Sequence, residues 1–338
     1  MSNTFPRVCI TGATGYIGGD FLHLVSRKHP GWEITCLLRN STHGELISQY
    51  PRVRIVSCDL DNSSLIEEEV SKSDIVFHFA DNDHEPAAHA ISKGFERRTR
   101  HGPGYWIHTS GTMNLAVESI ETNQYGKSLG NIYDDWDKAQ QLLSLPSQAP
   151  HRSVDKIVLS STTKANVAIV CPPTIFGRGR GPGNTRSSQI CDMVAEILKQ
   201  RKAFYVGLGE NMWHYIHIFD LSDLFLRLGE AAVSGKQTGW NEQGYYLAEG
   251  GSYRWKDMAG LLGAAAKERG YLDTAEPVSV TPEEIDDMIE HGRYLYGTDS
   301  RGICFRGKEI LGWRPSMPGL EDELVSIVKA EADRLQLN

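Results

Sequence analysis

Residues 7–19 read RVCITGATGYIGG and join an apolar run to a turn rich in glycine. Arg7–Thr11 has the composition of a buried β-strand, and Gly12, Gly15 and Gly18 follow it at regular spacing. Glycine permits a tight turn, and the free N–H groups at the start of the next helix attract a phosphate. The turn therefore predicts a dinucleotide site. The residues expected to contact this ligand are Gly12, Thr14, Gly15, Tyr16, Ile17 and Gly18.

The chain after this turn alternates short apolar runs with amphipathic segments. Strands are predicted at Arg7–Thr11, Glu33–Leu38, Val53–Ser57, Asp74–Phe79, Tyr105–His108 and Asn166–Cys171. Helices are predicted at Gly18–Lys28, Leu65–Val70 and His84–Arg97. Because strands that alternate with helices need crossover connections, the sheet is expected to be parallel. The predicted fold is α/β, a Rossmann-type doubly wound parallel sheet with a smaller C-terminal substrate lobe.

The pattern divides the chain near residue 176. Residues 1–176 are predicted to form the dinucleotide-binding domain, and 177–338 mainly the substrate lobe, with 204–230 returning to the first domain. Residues 118–150 form an insertion, which either covers the carboxyl edge of the sheet or is a solvated loop. The elements predicted in the lobe are a strand at Gly244–Ala248 and helices at Gln189–Gln200, Trp255–Arg269 and Gly319–Gln336.

Composition restricts the class of protein. The 338 residues carry a formal net charge of −8, which argues against general nucleic-acid binding. The six cysteines form no CxxC pair and are expected to be buried free thiols, and no metal site is predicted. We see no signal peptide and no apolar run long enough to span a membrane. The expectation is a cytoplasmic protein that acts on a small molecule, with no nucleic-acid or membrane partner.

Residues at the ends of the predicted strands suggest which dinucleotide binds. Arg39 follows the second strand, where an acidic residue would bind a ribose hydroxyl and an arginine would neutralise a 2′-phosphate. We therefore predict NADP(H), with NAD(H) as the alternative, unless Arg39 is simply a solvated surface residue. The other strand-end residues predicted to contact the cofactor are Asp59, Leu60, Phe79 and Ala80.

Several motifs, in order, resemble the extended short-chain dehydrogenases/reductases, the NAD-dependent epimerase/dehydratase-like proteins. They are TGATGYIGG at 11–19, CDL at 58–60, HFAD at 78–81, CPPTIFGRG at 171–179 and HYIHIFDLSDL at 214–224. The resemblance implies that Thr109, Pro172, Thr174 and Ile175 lie near the nicotinamide. It also implies a homodimer as one option for assembly.

The family's catalytic pattern is a Ser or Thr after the fifth strand and a Tyr-x-x-x-Lys on the next helix, where the tyrosine exchanges a proton with the substrate. By resemblance, Ser110 or Thr112 would supply the hydroxyl, and Lys156 would hold the nicotinamide ribose. Arg152 stands where the tyrosine is expected. A guanidinium cannot act as an ordinary proton donor, but it can polarise a carbonyl or bind a carboxylate.

Three hypotheses follow from this substitution. In the first, another residue, Tyr125 or Tyr133 in the insertion, donates the proton, so that the chain is an NADP(H)-dependent oxidoreductase acting on a carbonyl or hydroxyl. Alternatively, Arg152 holds the substrate of a redox-neutral isomerase, epimerase or lyase. In the third hypothesis the chain is a non-catalytic NADP(H) sensor, as in the NmrA-like branch of the family. Trp213 could line a pocket for a flat, apolar ligand or pack between the lobes.

Overall fold

A computed structural model describes residues 5–39 and 44–337. The strands are β1 (Arg7–Thr11), β2 (Glu33–Leu38), β3 (Val53–Ser57), β4 (Ile75–His78), β5 (Tyr105–Thr109), β6 (Tyr133–Asp134), β7 (Asn166–Cys171), β8 (Thr174–Phe176), β9 (Phe204–Val206), β10 (Met212–His217), β11 (Tyr245–Leu247), β12 (Gly251–Arg254), β13 (Val278–Val280) and β14 (Gly302–Ile303). The helices are α1 (Tyr16–Lys28), α2 (Gly44–Ser48), α3 (Ser63–Ser71), α4 (Glu85–Glu96), α5 (Val117–Glu121), α6 (Ala139–Leu143), α7 (Arg152–Ser160), α8 (Gln189–Gln200), α9 (Ile218–Val233), α10 (Trp255–Glu268), α11 (Pro282–Met288), α12 (Gly292–Gly297), α13 (Arg306–Leu311) and α14 (Leu320–Arg334).

The main sheet of the described chain has seven parallel strands in the order β11-β7-β5-β4-β1-β2-β3. Its strand order reverses beside β1, and two groups of helices flank it, α1 with α9 and α3 with α4 and α7. The central strands are buried on both faces, which is why they consist of nearly continuous apolar residues. The predicted Rossmann-type doubly wound fold is confirmed.

The seventh strand comes from a part of the chain that the sequence pattern assigned to the smaller lobe. β11 lies parallel to β7, with Tyr245 opposite Ile169 and Leu247 opposite Cys171. All its residues are buried, so it extends the main sheet by one edge strand. The predicted strand Gly244–Ala248 therefore exists, but it belongs to the dinucleotide-binding domain.

The smaller lobe contains a three-stranded sheet, β12-β10-β8, and a two-stranded sheet, β13-β9, packed with α8, α10 and α14. It has a core of its own, in which Trp255, Tyr296 and Phe176 are almost fully buried. Residues 204–230 do not return to the first domain as one piece. β9 and β10 belong to the lobe, whereas α9 packs against α1 in the dinucleotide-binding domain.

Two further findings concern the chain as a whole. All six cysteines are buried and unbridged. Over residues 5–39 and 44–337, no helix combines the length and apolar character needed to cross a membrane.

Candidate active site

The glycine turn lies against the end of β4. Gly12 has φ of +71°, and a Cβ there would lie 2.7 Å from the Ala80 nitrogen and from the Phe79 carbonyl carbon. A Cβ on Gly18 would overlap the carbonyl oxygen of Gly12. Both positions therefore exclude a side chain, which lets the backbone of the turn approach a ligand closely. The same packing brings Phe79 and Ala80 beside the turn.

The start of α1 is suited to an anion. Gly15 precedes the helix without a side-chain cap, and the first turn of the helix contains no acidic residue. Within the described chain no side chain caps this end of the helix, and the helix dipole favours negative charge there. These features fit the pyrophosphate of a dinucleotide.

A glycine-rich loop, residues 177–184, covers the outer side of this turn. Asn184 donates its backbone N–H to the Thr14 carbonyl at 2.9 Å, and Tyr16 donates its hydroxyl to the Gly177 carbonyl at 2.6 Å. Arg180 pairs with the buried Asp20 of α1 at 2.6 Å. The Tyr16 side chain, predicted as a cofactor contact, is therefore bonded to this loop.

The strand-end residues that were predicted to contact the cofactor differ in solvent exposure and in hydrogen bonding. Arg39 is exposed at the end of β2, next to residues 40–43, which lie outside the described chain. Asp59 is also exposed, and its carboxylate accepts the backbone N–H of Asn62, the N-cap residue of α3, at 3.0 Å. Leu60 is partly buried and packs against the core.

A cavity of about 440 Å³ opens at the carboxyl ends of β5 and β7. Its walls are mostly apolar or aromatic, and no Lys, Arg, Asp or Glu is among the described residues that line it. Two histidines, the amide of Gln148 and the hydroxyl residues Thr112 and Tyr294 interrupt this apolar surface. The lining residues are Gly111, Thr112, Met113, Ile120, Gln148, Pro150, His151, Pro172, Trp213, His291, Tyr294 and Leu295.

Thr112 is the predicted hydroxyl residue that reaches the cavity. Its Oγ1 is buried and has no hydrogen-bond partner within the described chain, while its backbone is fixed by bonds to Pro172 and Ser300. A buried hydroxyl without a partner destabilises the fold, and a ligand oxygen that came within hydrogen-bond distance of Oγ1 would remove that cost. Trp213 is buried in the core of the smaller lobe and also lines the cavity.

Ser110, the other predicted hydroxyl, points elsewhere. Its Oγ donates to Asp155 of α7 at 3.1 Å, and both residues are buried. Tyr245 donates to the same carboxylate oxygen at 3.3 Å, and the Asn114 amide reaches the Tyr245 hydroxyl at 2.6 Å. Ser110 thus belongs to a buried polar network that joins β5, α7 and β11.

This network lies near two buried histidines. His78 and His108 face each other on β4 and β5 with their Nδ1 atoms 3.0 Å apart, and His108 Nε2 is 3.8 Å from Asp155. Burial raises the pKa of Asp155 to about 6 and lowers the pKa of His78 to about 4. Burial also lowers the pKa of His108, so both rings are neutral at pH 7.

Arg152 and Lys156, which the sequence aligned with the Tyr and Lys of the family's catalytic pattern, do not line the cavity. The Arg152 guanidinium is buried and donates to the carbonyls of Leu143 and Leu145. Lys156 is exposed, and its Nζ contacts Ser147. Since successive residues of a helix diverge by about 100°, a shift of one position changes which side chains face the cavity.

His151, at the N-cap of α7, is the residue that takes the cavity-facing position. It adopts a left-handed backbone with φ of 61°, and its Nδ1 lies 2.9 and 3.0 Å from the two carboxylate oxygens of Asp83. The predicted alignment with the Tyr-x-x-x-Lys pattern put Arg152 at the tyrosine position, and His151 is the residue immediately before it. Two features of the sequence could have indicated His151 as a site residue: Pro150 immediately before it and Asp155 one helical turn after it.

The tyrosines of the insertion also lie away from the cavity lining. Tyr133 is buried in β6, which pairs with β14, and accepts a hydrogen bond from Asn131. Tyr125 packs edge-on against Tyr294 and does not line the cavity itself. Burial raises the pKa of both hydroxyls, which makes them poorer acids than free tyrosine.

The predicted nicotinamide loop is split between two roles. Pro172 lines the cavity, whereas Thr174 is buried and bonds Gln189 at 2.6 Å and Tyr253 at 2.7 Å. Ile175 is partly buried in β8, and Thr109 ends β5 with a buried hydroxyl that lacks a partner in the described chain.

Known proteins resemble this chain over most of its length. The sequence profile of the NAD dependent epimerase/dehydratase family matches residues 8–241. The "Oxidase ucsJ" of Acremonium sp is 32% identical over 98% of this chain and 99% of its own length. A dTDP-glucose 4,6-dehydratase of Mycolicibacterium smegmatis is 25% identical over 66% of this chain and 68% of its own. The structure of a dTDP-glucose 4,6-dehydratase from Bacillus anthracis, in complex with NAD, superposes with a TM-score of 0.68 at 15% identity, covering 97% of both chains.

Proposed function

The chain belongs to the NAD dependent epimerase/dehydratase family, and from this premise we propose that it is an NADP(H)-dependent oxidoreductase acting on a carbonyl or hydroxyl of a small apolar molecule. The observation that carries the proposal is the apolar cavity at the carboxyl ends of β5 and β7. In open α/β sheets, ligands bind outside these strand ends, where the glycine turn of β1 also lies.

The lining of the cavity favours an apolar substrate over a sugar nucleotide. The dehydratases to which this chain is similar are named for dTDP-glucose, which carries two phosphates. A diphosphate needs arginine, lysine or backbone N–H groups, and the described residues of this cavity include no arginine or lysine. Met113, Trp213 and Leu295 instead offer surfaces that a flat hydrocarbon skeleton would cover.

Cofactor and substrate would be held by different parts of the chain. The turn at Gly12–Gly18 and the uncapped start of α1 fit the pyrophosphate. When bound, the nicotinamide supplies or accepts a hydride. Thr112 Oγ1 would donate a hydrogen bond to the substrate oxygen and so orient it.

Arg39 supports the finer proposal of NADP(H) over NAD(H). It is exposed at the end of β2, where a guanidinium can pair with a 2′-phosphate in two parallel hydrogen bonds. The general dinucleotide assignment does not depend on this residue.

A fluorescence titration with NADPH and NADH tests the binding part of the proposal. We expect saturable binding, tighter for NADPH, and oxidation of NADPH by members of a panel of apolar ketones. The matched control is Gly260→Ala, an α10 position where an added Cβ meets nothing within 4 Å, and it should bind as the natural chain does. Failure of the folded protein to bind either dinucleotide would refute the proposal.

A redox-neutral reaction is the second candidate, and the absence of Lys156 from the cavity favours it. No lysine is among the described residues that line the cavity, whereas the family resemblance implies a lysine on the nicotinamide ribose. Product formed without net NADPH consumption would support an isomerase or lyase. Stoichiometric NADPH oxidation in a single turnover would rule out both this candidate and a non-catalytic sensor.

A further inference from the structure

We propose that His151, oriented by Asp83, is the group that exchanges a proton with the substrate oxygen in this cavity. The inference rests on the proposed oxidoreductase function and names the residue that replaces the expected tyrosine. Four observations carry it: the contact with Asp83, the direction of the second ring nitrogen, the backbone conformation and the apolar surroundings.

The contact with Asp83 sets the tautomer of the ring. Nδ1 lies 2.9 Å from one carboxylate oxygen and 3.0 Å from the other. An ionised carboxylate only accepts, so Nδ1 must carry the hydrogen, and the Nε2 of the neutral ring keeps its lone pair. The hydrogen bond from His151 holds the pKa of Asp83 below its ordinary value, which keeps the carboxylate ionised.

Asn82 also approaches this nitrogen, with its amide Nδ2 lying 3.2 Å from Nδ1. Rotation of the amide by half a turn would place an accepting oxygen there, which suits an Nδ1–H. The other titratable groups near the ring are Asp155 and Arg152, which are buried side chains of α7, and the buried His108 of β5.

The free nitrogen lies at the end of β5. A Cβ built on Gly111 would be 3.2 Å from Nε2 and 3.3 Å from Cδ2 of His151, closer than a side chain normally sits. Glycine at this position therefore leaves room for the imidazole, and both residues line the cavity together with Thr112.

The backbone of His151 is held in an uncommon conformation. Its φ of 61° lies in the left-handed region, which costs a residue other than glycine about 1 kcal/mol or more. Strained residues of this kind concentrate at functional sites, where the surrounding structure compensates for them. Here the conformation turns the ring toward both Asp83 and the cavity.

The proposed proton transfer and the hydride transfer together account for the atoms and electrons of the reaction. In the oxidation of an alcohol, the hydroxyl proton passes to Nε2 and the C–H hydride leaves to the oxidised nicotinamide. The O–H bonding pair becomes the carbonyl π bond, and the ring, now protonated on both nitrogens, is stabilised by Asp83. In the reduction of a ketone the same proton returns to the oxygen.

The substrate class follows from the surroundings of Nε2. The cavity wall is mostly apolar, and its few polar side chains are Thr112, Gln148, His151, His291 and Tyr294. It therefore fits a flat, largely hydrocarbon compound with a single ketone or hydroxyl at its edge. 4-Nitrophenol shares the flat ring and the single hydroxyl, although it also carries a nitro group, and its absorbance reports whether it has lost its proton.

The test measures proton transfer to bound 4-nitrophenol in the NADP⁺-loaded protein, at a pH below the solution pKa of the probe. We expect the bound probe to be ionised by the natural chain and to stay neutral in His151→Asn. Asparagine tolerates the left-handed backbone, so this variant should fold. Asp83→Asn should lower the ionised fraction at least several-fold. His89→Gln, which changes an exposed histidine of α4, is the matched control and should behave as the natural chain does.

Equal ionisation in His151→Asn and the natural chain would overturn the proposal, as would a bound probe that stays neutral, or no binding of the probe at all. Gly111→Ala offers a second route, because its Cβ displaces Nε2 while Asp83 remains, and it should also suppress ionisation.

Nitrogen NMR of the histidine rings provides a readout that needs no probe. We expect the Nδ1–H tautomer for His151 and its loss in Asp83→Asn, and an Nε2–H tautomer in the natural chain would overturn the proposal. NADPH titration in parallel separates the two failures. A chain that binds NADPH but leaves the probe neutral refutes the role of His151 alone. A chain that binds no dinucleotide, but ionises the probe when the probe is added by itself, refutes the proposed function alone.

Discussion

Arg152 is predicted to be a structural residue, and the substitution Arg152→Met tests this directly. The residue is 4% exposed, with Nε 3.0 Å from the Leu145 carbonyl oxygen and Nη2 in contact with the Leu143 carbonyl oxygen. Methionine keeps the aliphatic part of the side chain but leaves both carbonyls without this donor. The segment that ends α6 would then lose its attachment to α7.

The magnitude follows from the two hydrogen bonds. A hydrogen bond to a charged group contributes about 1.5–3 kcal/mol, which gives about 3–6 kcal/mol for two. Relief of the buried charge offsets part of this, since Nη1 is buried and has no partner within the described chain. We expect a net loss of about 2–3 kcal/mol in the free energy of unfolding.

Urea unfolding followed by tryptophan fluorescence measures this loss, and Lys156→Met is the matched control. Lys156 is exposed, so its loss should change stability by about 0.5 kcal/mol or less. Equal unfolding midpoints for the two variants would refute the reasoning. A stable Arg152→Met that binds NADPH normally but no longer binds apolar ketones would instead restore Arg152 as a substrate ligand.

Three further predictions concern the cofactor turn, the phosphate and the buried carboxyl. Gly18→Ala should abolish NADPH binding, because its Cβ overlaps the Gly12 carbonyl, whereas Gly260→Ala should bind normally in the same titration. Arg39→Asp should shift the ratio of NADPH to NADH affinity toward NADH, and an unchanged ratio would show that Arg39 does not contact the phosphate. Asp155 has a folded pKa of about 6 against an ordinary 3.8, so the natural chain loses about 3 kcal/mol of stability from this group as pH rises from about 4 to 7. Asp155→Asn does not titrate, so its stability relative to the natural chain should rise over that window in urea titrations, and a constant difference would contradict the burial argument.

The strands of the main sheet were the most predictable part of the fold. The observed bounds of β1, β2 and β7 equal the predicted ones, because strands covered on both faces are continuous apolar runs with polar ends. The short strands of the smaller lobe, such as β8 and β9, were not predicted. Three residues are too few for a periodic pattern, and their partners are distant in sequence.

The candidate site was predictable only where backbone chemistry decides it. Only glycine fits without steric overlap at positions 12 and 18, so the spacing of these glycines alone predicts the dinucleotide-binding turn. The direction of each side chain on α7 depends on how the helix is rotated about its axis. That rotation depends on the residue at which the helix begins. His151 begins it in a left-handed conformation that no local pattern announces.

The sequence by itself determined the parallel sheet, the glycine turn and the family, because each is indicated by short motifs whose own residues are neighbours in the chain. Only the tertiary structure decided which groups meet at the cavity. Asp83 follows β4, Gly111 follows β5 and His151 precedes α7, and only the packing of the sheet brings the three together. The same packing takes Ser110, Arg152 and Lys156 out of the cavity, since a side chain's direction is set by the neighbours of its whole element.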